Sequence, residues 1–173
     1  MNMNNEIKIR TAVDKDIEKI YPLIKDVNKM VKQHRLKFFG KLKEFQSPIE
    51  FYFKAIKDKN SIIFVAEKGE VVGYVYTTIE KEPDDLIAIP YVNVNELVVK
   101  KKYRRLKIGK AMMEKVYEWA RQNGLNVIQL AVWEFNRAGV NFYKKLGYET
   151  IMRKMEKVLY TKFPQQPTRR PQK

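Results

Sequence analysis

The sequence predicts an α/β domain: a mixed, mostly antiparallel sheet with one central parallel strand pair and helices on both faces. Three observations carry this. Tyr91 to Gly124 reads as a strand, a basic turn and a helix, in that order. Ser61 to Glu80 reads as two strands joined by the tight turn Lys68-Gly69-Glu70, the pattern of a β-hairpin. The apolar run Asn126 to Trp133 follows the Tyr91–Gly124 unit directly. Two strands joined through one helix lie parallel, with a right-handed crossover.

The elements follow in order. Ile7 to Thr11 alternates and predicts a short first strand. Asp14 then precedes Ile17, Ile20, Tyr21 and Ile24 at helical spacing, and Pro22 inside this pattern predicts a kink or break near Tyr21. Val31 to Gln46 is basic and irregular or weakly helical. Ser47-Pro48-Ile49-Glu50 is a helix start, with serine as cap, for a helix running to Asp58. After the hairpin, in which Gly73 predicts a bulge or a close backbone approach, comes the acidic loop Glu80 to Asp85. The strand Tyr91 to Val99 leads into a helix with Ile108, Met112, Val116 and Trp119 on one face. The run Asn126 to Trp133 is apolar enough to be covered on both faces. Asn136 caps a further helix with Gly139, Phe142, Tyr143 and Leu146 on its stripe, closed by Gly147. Tyr148 to Val158 predicts a last strand. The order is β-α-α-β-β-β-α-β-α-β, in one domain over residues 1–160, with a basic, proline-containing tail over 161–173.

Composition narrows the function classes. The chain has 173 residues, no cysteine and one histidine, His34. Disulfides, thiolate metal sites and a cysteine nucleophile are excluded, and no metal is expected. No apolar run approaches the length of a membrane span. The N-terminus lacks the apolar core of a signal peptide, so a cytoplasmic protein is expected. The net charge of +15 favours polyanionic partners such as coenzymes, nucleotides or nucleic acid, or is a basic surface with no specific partner.

The candidate site is the turn between the Tyr91 strand and its helix. Strand, basic turn and helix N-terminus form an anion site, because the first helical N–H groups lack intrahelical partners and the helix dipole adds positive charge. Arg104, Arg105, Leu106, Lys107, Ile108, Gly109 and Lys110 compose it. By itself this turn fits either a diphosphate cradle or a helix start with an exposed basic face. Ligands of open sheets bind beyond the carboxyl ends of parallel strands, which gathers Val98 to Gly109, Glu134, Asn136 and Tyr143 around one crevice.

Two stretches carry a family resemblance. Arg104 to Gly109 is similar to the Arg/Gln-x-x-Gly-x-Gly/Ala signature of the Gcn5-related N-acetyltransferases (GNAT family). The run NRAGVNFYKKLGYE, Asn136 to Glu149, resembles the pattern of that family's last helix. The element order agrees over about residues 6 to 158. The resemblance implies acetyl-CoA as co-substrate, with its pantetheine arm paired to the backbone of Leu97, Val98 and Val99 and the Val98 N–H polarising the thioester carbonyl. It implies that Tyr143 protonates the leaving thiolate; without the motif, Tyr143 reads as a core aromatic. Asn136 is a cap that faces the crevice. A base is also required, since an amine of pKa about 10 is mostly protonated at neutral pH. Glu96, in phase with Val92, Val94 and Val98 by alternation, and Glu134, at the end of the next strand, are the candidates, each through a water. The acidic loop from Glu80 lies where the family's acceptor pocket is walled. The sequence departs from the pattern at Lys107, where the first glycine stands, and at Gly139, where alanine stands; Lys107 predicts a reshaped loop.

The function expected is direct acetyl transfer from acetyl-CoA to a primary amine, with a homodimer possible by analogy to the family. A non-catalytic acyl-CoA-binding module and a basic nucleic-acid- or ribosome-associated protein are the alternatives.

Overall fold

The computed structural model describes residues 6–39, 48–81 and 89–157. Its elements are β1 (Lys8–Thr11), α1 (Asp14–Phe39), α2 (Ile49–Ala55), β2 (Ser61–Lys68), β3 (Glu70–Lys81), β4 (Pro90–Val99), α3 (Ile108–Gln122), β5 (Ile128–Leu130) and α4 (Arg137–Lys145). The five strands form one sheet in the order β1-β2-β3-β4-β5. All neighbours are antiparallel except β4 and β5, which are parallel as expected.

Two apolar layers hold this sheet. On one face α1 and α2 bury Ile17, Ile20, Ile24 and Tyr52 against Ile63, Val65 and Tyr74. On the other, α3 buries Ile108, Met112, Met113 and Val116 against Phe64, Val75, Val92 and Val94. Each fully buried side chain of this size contributes about 1.5–3 kcal/mol. The start of α1 is pinned electrostatically. Asp16 is fully buried and accepts from the Val13 N–H at 3.0 Å and from Arg10 Nη2 at 3.0 Å. The Arg10 guanidinium holds the Asp16 carboxyl below the usual carboxylate range.

The hairpin forms with Gly69 at φ +70° in its turn. Both expectations for Gly73 are met. The register between β2 and β3 slips beside it, and a Cβ there would lie 2.7 Å from the Val98 carbonyl oxygen.

Four expectations are corrected. Helix α1 runs unbroken through Pro22 to Phe39, where a kink or break near Tyr21 and irregular or weakly helical chain after Val31 were expected. Pro22 faces solvent, so the carbonyl its ring leaves unbonded is open to water, while Ile20, Leu23 and Ile24 stay buried around it; packing of that stripe outweighs the lost bond. Helix α2 ends at Ala55 rather than Asp58, and Pro48 stands at its cap; Ser47 lies outside the described residues. Strand β5 is three residues long, against eight expected, because its partner β4 turns away beyond Val94. The expected last strand is absent over residues 148–157, and Val158 lies outside the described residues. Ile151, Met152 and Met155 are 80%, 77% and 90% exposed. A three-residue neighbour offers too few ladder bonds to offset the entropy of ordering ten residues. Residues 40–47, 82–88 and 158–173 and the His34 side chain are likewise outside the described residues, and with them most of the expected acidic loop and the expected tail.

Candidate active site

The site begins with an irregularity in β4. Tyr76 pairs with Glu96 but Thr77 pairs with Val94, so Asn95 is an extra residue on β4, a β-bulge. A bulge bends its strand and ends pairing on the far side. The parallel ladder to β5 accordingly stops at Val94 and Leu130. Beyond it the outer edge of Leu97 to Val99 has no strand partner among the described residues.

The register also decides which N–H groups point into the gap. The Lys100 N–H donates to the Val72 carbonyl at 2.8 Å. Hydrogen-bonded pairs alternate along an antiparallel ladder, so Tyr74 and Val98, in continuous register with Val72 and Lys100, form the next such pair. The Val98 N–H is therefore directed at β3, and the expected oxyanion role for it is corrected. Leu97 and Val99 present their N–H groups to the crevice instead. Arg104 Nε donates to the Val99 carbonyl at 3.1 Å, which ties the basic turn to the end of β4.

The same bulge reverses the side-chain phase. Val92 and Val94 pack in the α3 layer, whereas Val98 packs in the α1–α2 layer. Glu96 shares a face with Val98 and not with Val92 and Val94, correcting the alternation read through Asn95. Its Oε1 accepts from Tyr52 OH at 2.9 Å and its Oε2 from Tyr74 OH at 2.6 Å. Burial, and then the Glu96 charge, push the Tyr74 phenol up. Tyr52 and Tyr74 were not anticipated as partners. The spacing of Tyr74 and Tyr76 on β3 was the available signal for Tyr74; nothing local marked Tyr52.

The turn itself is strained. Lys107 has φ +60° and Arg105 has φ +66°. A side chain in this left-handed region costs about 1–2 kcal/mol. Lys107 thus takes the left-handed backbone form that glycine adopts most cheaply. The strain at Arg105 was missed. Lys100 and Lys102 are engaged by Glu70 at 2.7 and 3.1 Å, which holds that carboxyl down to about 2. Arg105, Lys107 and Lys110 are exposed and form no ion pair among the described residues. They surround the first turn of α3, whose Ile108, Gly109 and Lys110 amides precede the first intrahelical bond, Ala111 N–H to the Lys107 carbonyl at 3.0 Å. Leu106 is 46% exposed at the tip.

Helix α4 docks on this turn. A Cβ at Gly109 would meet the Phe142 ring at 3.2 Å, so glycine here permits close helix packing. The Asn136 side chain caps α4, accepting from the Gly139 N–H at 3.1 Å. A Cβ at position 139 would lie 2.6 Å from the Asn136 amide, so glycine leaves room for the cap. Tyr143 is held edge-on by Phe142 and Tyr148, with ring centroids 5.1 and 5.6 Å away. Burial, with Tyr117 adding to it, pushes its phenol up to about 12. Glu134 is exposed in the β5–α4 turn, and Trp133 is 48% exposed and stacks on Phe135. The crevice is an open edge; two shallow hollows lie elsewhere, one between β1, β2 and α3 and one beside Leu125 and Ile128.

A splayed parallel pair, a bulged β4 and a helix N-terminus between them match a known family. The model of the acetyltransferase (GNAT) family covers residues 28–148. The chain belongs to the GNAT family. A probable N-acetyltransferase, camello, from Xenopus tropicalis is 32% identical over 92 residues, which is 53% of this chain and 40% of that protein. The N-alpha-acetyltransferase daf-31 of Caenorhabditis elegans is 31% identical over 107 residues, 60% of this chain and 57% of that protein. The chain spans about half the length of these relatives. Among solved structures, a tetramutant of the BH1408 protein from Bacillus halodurans matches with a TM-score of 0.78 and 22% identity, over 88% of this chain and 99% of that one. At that identity the likeness shows the fold alone. Among the described residues of this GNAT chain, no helix is long and apolar enough to cross a membrane, and no acidic or histidine group is arranged to hold a metal.

Proposed function

We propose that this chain is an acetyl-CoA-dependent N-acetyltransferase that passes acetyl directly to a primary amine, and that it works in the cytoplasm. The observation that carries the reading is the continuity of an unpaired strand edge with a cationic helix N-terminus. Leu97 and Val99 offer two N–H donors, and α3 offers three free amides with Arg105, Lys107 and Lys110 beside them. This arrangement fits a coenzyme whose arm can add as a strand and whose diphosphate needs a cradle. When bound, acetyl-CoA supplies the activated acyl group.

The chain's own residues would then do the following. The Leu97 N–H, directed at the crevice, replaces Val98 as the single oxyanion donor. The Tyr143 phenol, kept protonated by burial, gives its proton to the departing thiolate. Glu96, fixed by Tyr52 and Tyr74, takes a proton from the ammonium through water; Glu134 is the other base and lacks such fixing. Asn136 holds α4, and with it Tyr143, against the turn. No cysteine exists to carry the acetyl group, in keeping with direct transfer.

The test is thiol release from acetyl-CoA with a panel of primary amines. We expect release that depends on the amine and saturates with it. Coenzyme binding with no release on any amine would show a binding module instead.

A further inference from the structure

The sheet face beneath α1 and α2 carries a second carboxylate that the acetyl-transfer chemistry does not use. Tyr74, Tyr76, Thr78 and Glu80 alternate onto this face from β3, and Tyr91, Asn93 and Glu96 from β4. Glu80 is held by neutral donors only. Its Oε1 accepts from Thr78 Oγ1 at 2.8 Å and from Asn93 Nδ2 at 3.0 Å, and its Oε2 from Tyr91 OH at 3.2 Å. Asn95, the bulge residue, closes the ring by donating to Thr78 Oγ1 at 2.8 Å and accepting from Asn93 Nδ2 at 2.9 Å.

This differs from the ion-paired carboxylates of the chain. Asp16, Glu67, Glu70 and Glu118 each pair with an arginine or lysine. Glu80 is half-buried, in a chain of net charge +15, and no cation pairs with it among the described residues. An ionised carboxylate has about four acceptor positions. Three are filled, so one remains, on a group whose rotamer is already fixed. Glu96 lies on the same face, also bound only by hydroxyls. From Asn93, which holds Glu80, to Leu97 is four residues with the bulge among them, or three strand rises, about 10 Å. Near the Glu96 end of this track sits Phe51, 42% exposed, with its ring edge-on to Tyr76 at 5.8 Å.

We infer that the acceptor is a dication: the reacting amine lies by Leu97 and Glu96, and a second ammonium about 10 Å away is bound by Glu80, with the connecting hydrocarbon passing the exposed ring of Phe51. Glu80 is then a specificity residue, and its ring of neutral donors holds the carboxylate ready without competing as a counter-ion. A charge-assisted bond of this kind is stronger than a neutral one. This rests on the acetyl-transfer reading and adds the class of acceptor to it.

The experiment compares diaminooctane with octylamine, which has the same hydrocarbon and lacks the second charge. The readout is the ratio of kcat/KM for the two amines, taken within each protein so that differences in folded fraction cancel. The native chain should prefer the diamine about tenfold, chiefly through KM. In Glu80→Gln the ratio should fall to near unity, and in Glu80→Asp it should lie between. A shorter diamine, diaminopropane, should behave as a monoamine does. Equal specificity for diaminooctane and octylamine in the native chain, or a ratio untouched by Glu80→Gln, overturns the assignment while leaving acetyl transfer standing. Absence of thiol release with every amine overturns both.

Discussion

Tyr143→Phe lowers turnover by about 100-fold and leaves coenzyme binding nearly unchanged. The substitution removes one oxygen and keeps the ring, so the edge-on contacts with Phe142 and Tyr148 at 5.1 and 5.6 Å survive. The Tyr143 hydroxyl forms no hydrogen bond among the described residues, so its removal strands no partner and stability should hardly move. The loss therefore falls on kcat. The pH dependence follows from the same burial. Because the phenol is raised to about 12, it stays protonated across the working range, and its own deprotonation limb lies near pH 12. The rise in rate with pH below that belongs to the base and to the amine, and both variants share it. A rate unchanged in Tyr143→Phe removes Tyr143 from the chemistry. A limb near pH 8–10 that vanishes with the hydroxyl would show a phenol far less shielded than this one.

Gly73→Ala should destabilise the fold by about 2 kcal/mol and weaken coenzyme binding beyond what lost stability explains. The new Cβ would sit 2.7 Å from the Val98 carbonyl oxygen and 3.4 Å from Met112 Cε. The oxygen is backbone and is fixed in the ladder between β3 and β4, so the strands must part or β4 must slide. Either movement carries Leu97 and Val99 with it. Alanine's better strand behaviour returns less than 1 kcal/mol. The checks are the urea midpoint and the coenzyme dissociation constant, measured where both proteins are folded. A variant as stable as the native chain would mean that the two strands are not in the close register described.

The elements legible in the sequence were those whose signals are local. The hairpin announces itself through Lys68-Gly69-Glu70, and α3 and α4 through stripes closed by Gly124 and Gly147, both at positive φ. The crossover between β4 and β5 followed from the single helix between them. The candidate residues were gathered around one crevice from the sequence, yet the facing of Glu96 was not legible, because it depends on Asn95. The run NVNELVV alternates equally well with or without an inserted residue, and only pairing with Tyr76 and Thr77 reveals the bulge. From that one residue follow the reversed phase of Glu96 and the early end of β5. Pro22 misled for a related reason. Its cost is local and visible, while the burial of Ile20, Leu23 and Ile24 that outweighs it is tertiary. The last strand shows the reverse error, a strand expected over 148–157 that has no adequate partner edge.

The coenzyme's path along β4 is tested most directly by amide spectra recorded as acetyl-CoA is added. Leu97 and Val99 should shift and gain protection from hydrogen exchange, together with Ile108, Gly109 and Lys110, while Val98, already bonded to β3, should be protected from the outset. Shifts confined to exposed lysines, with Leu97 and Val99 still exchanging freely at saturation, would contradict the placement of the coenzyme in this crevice.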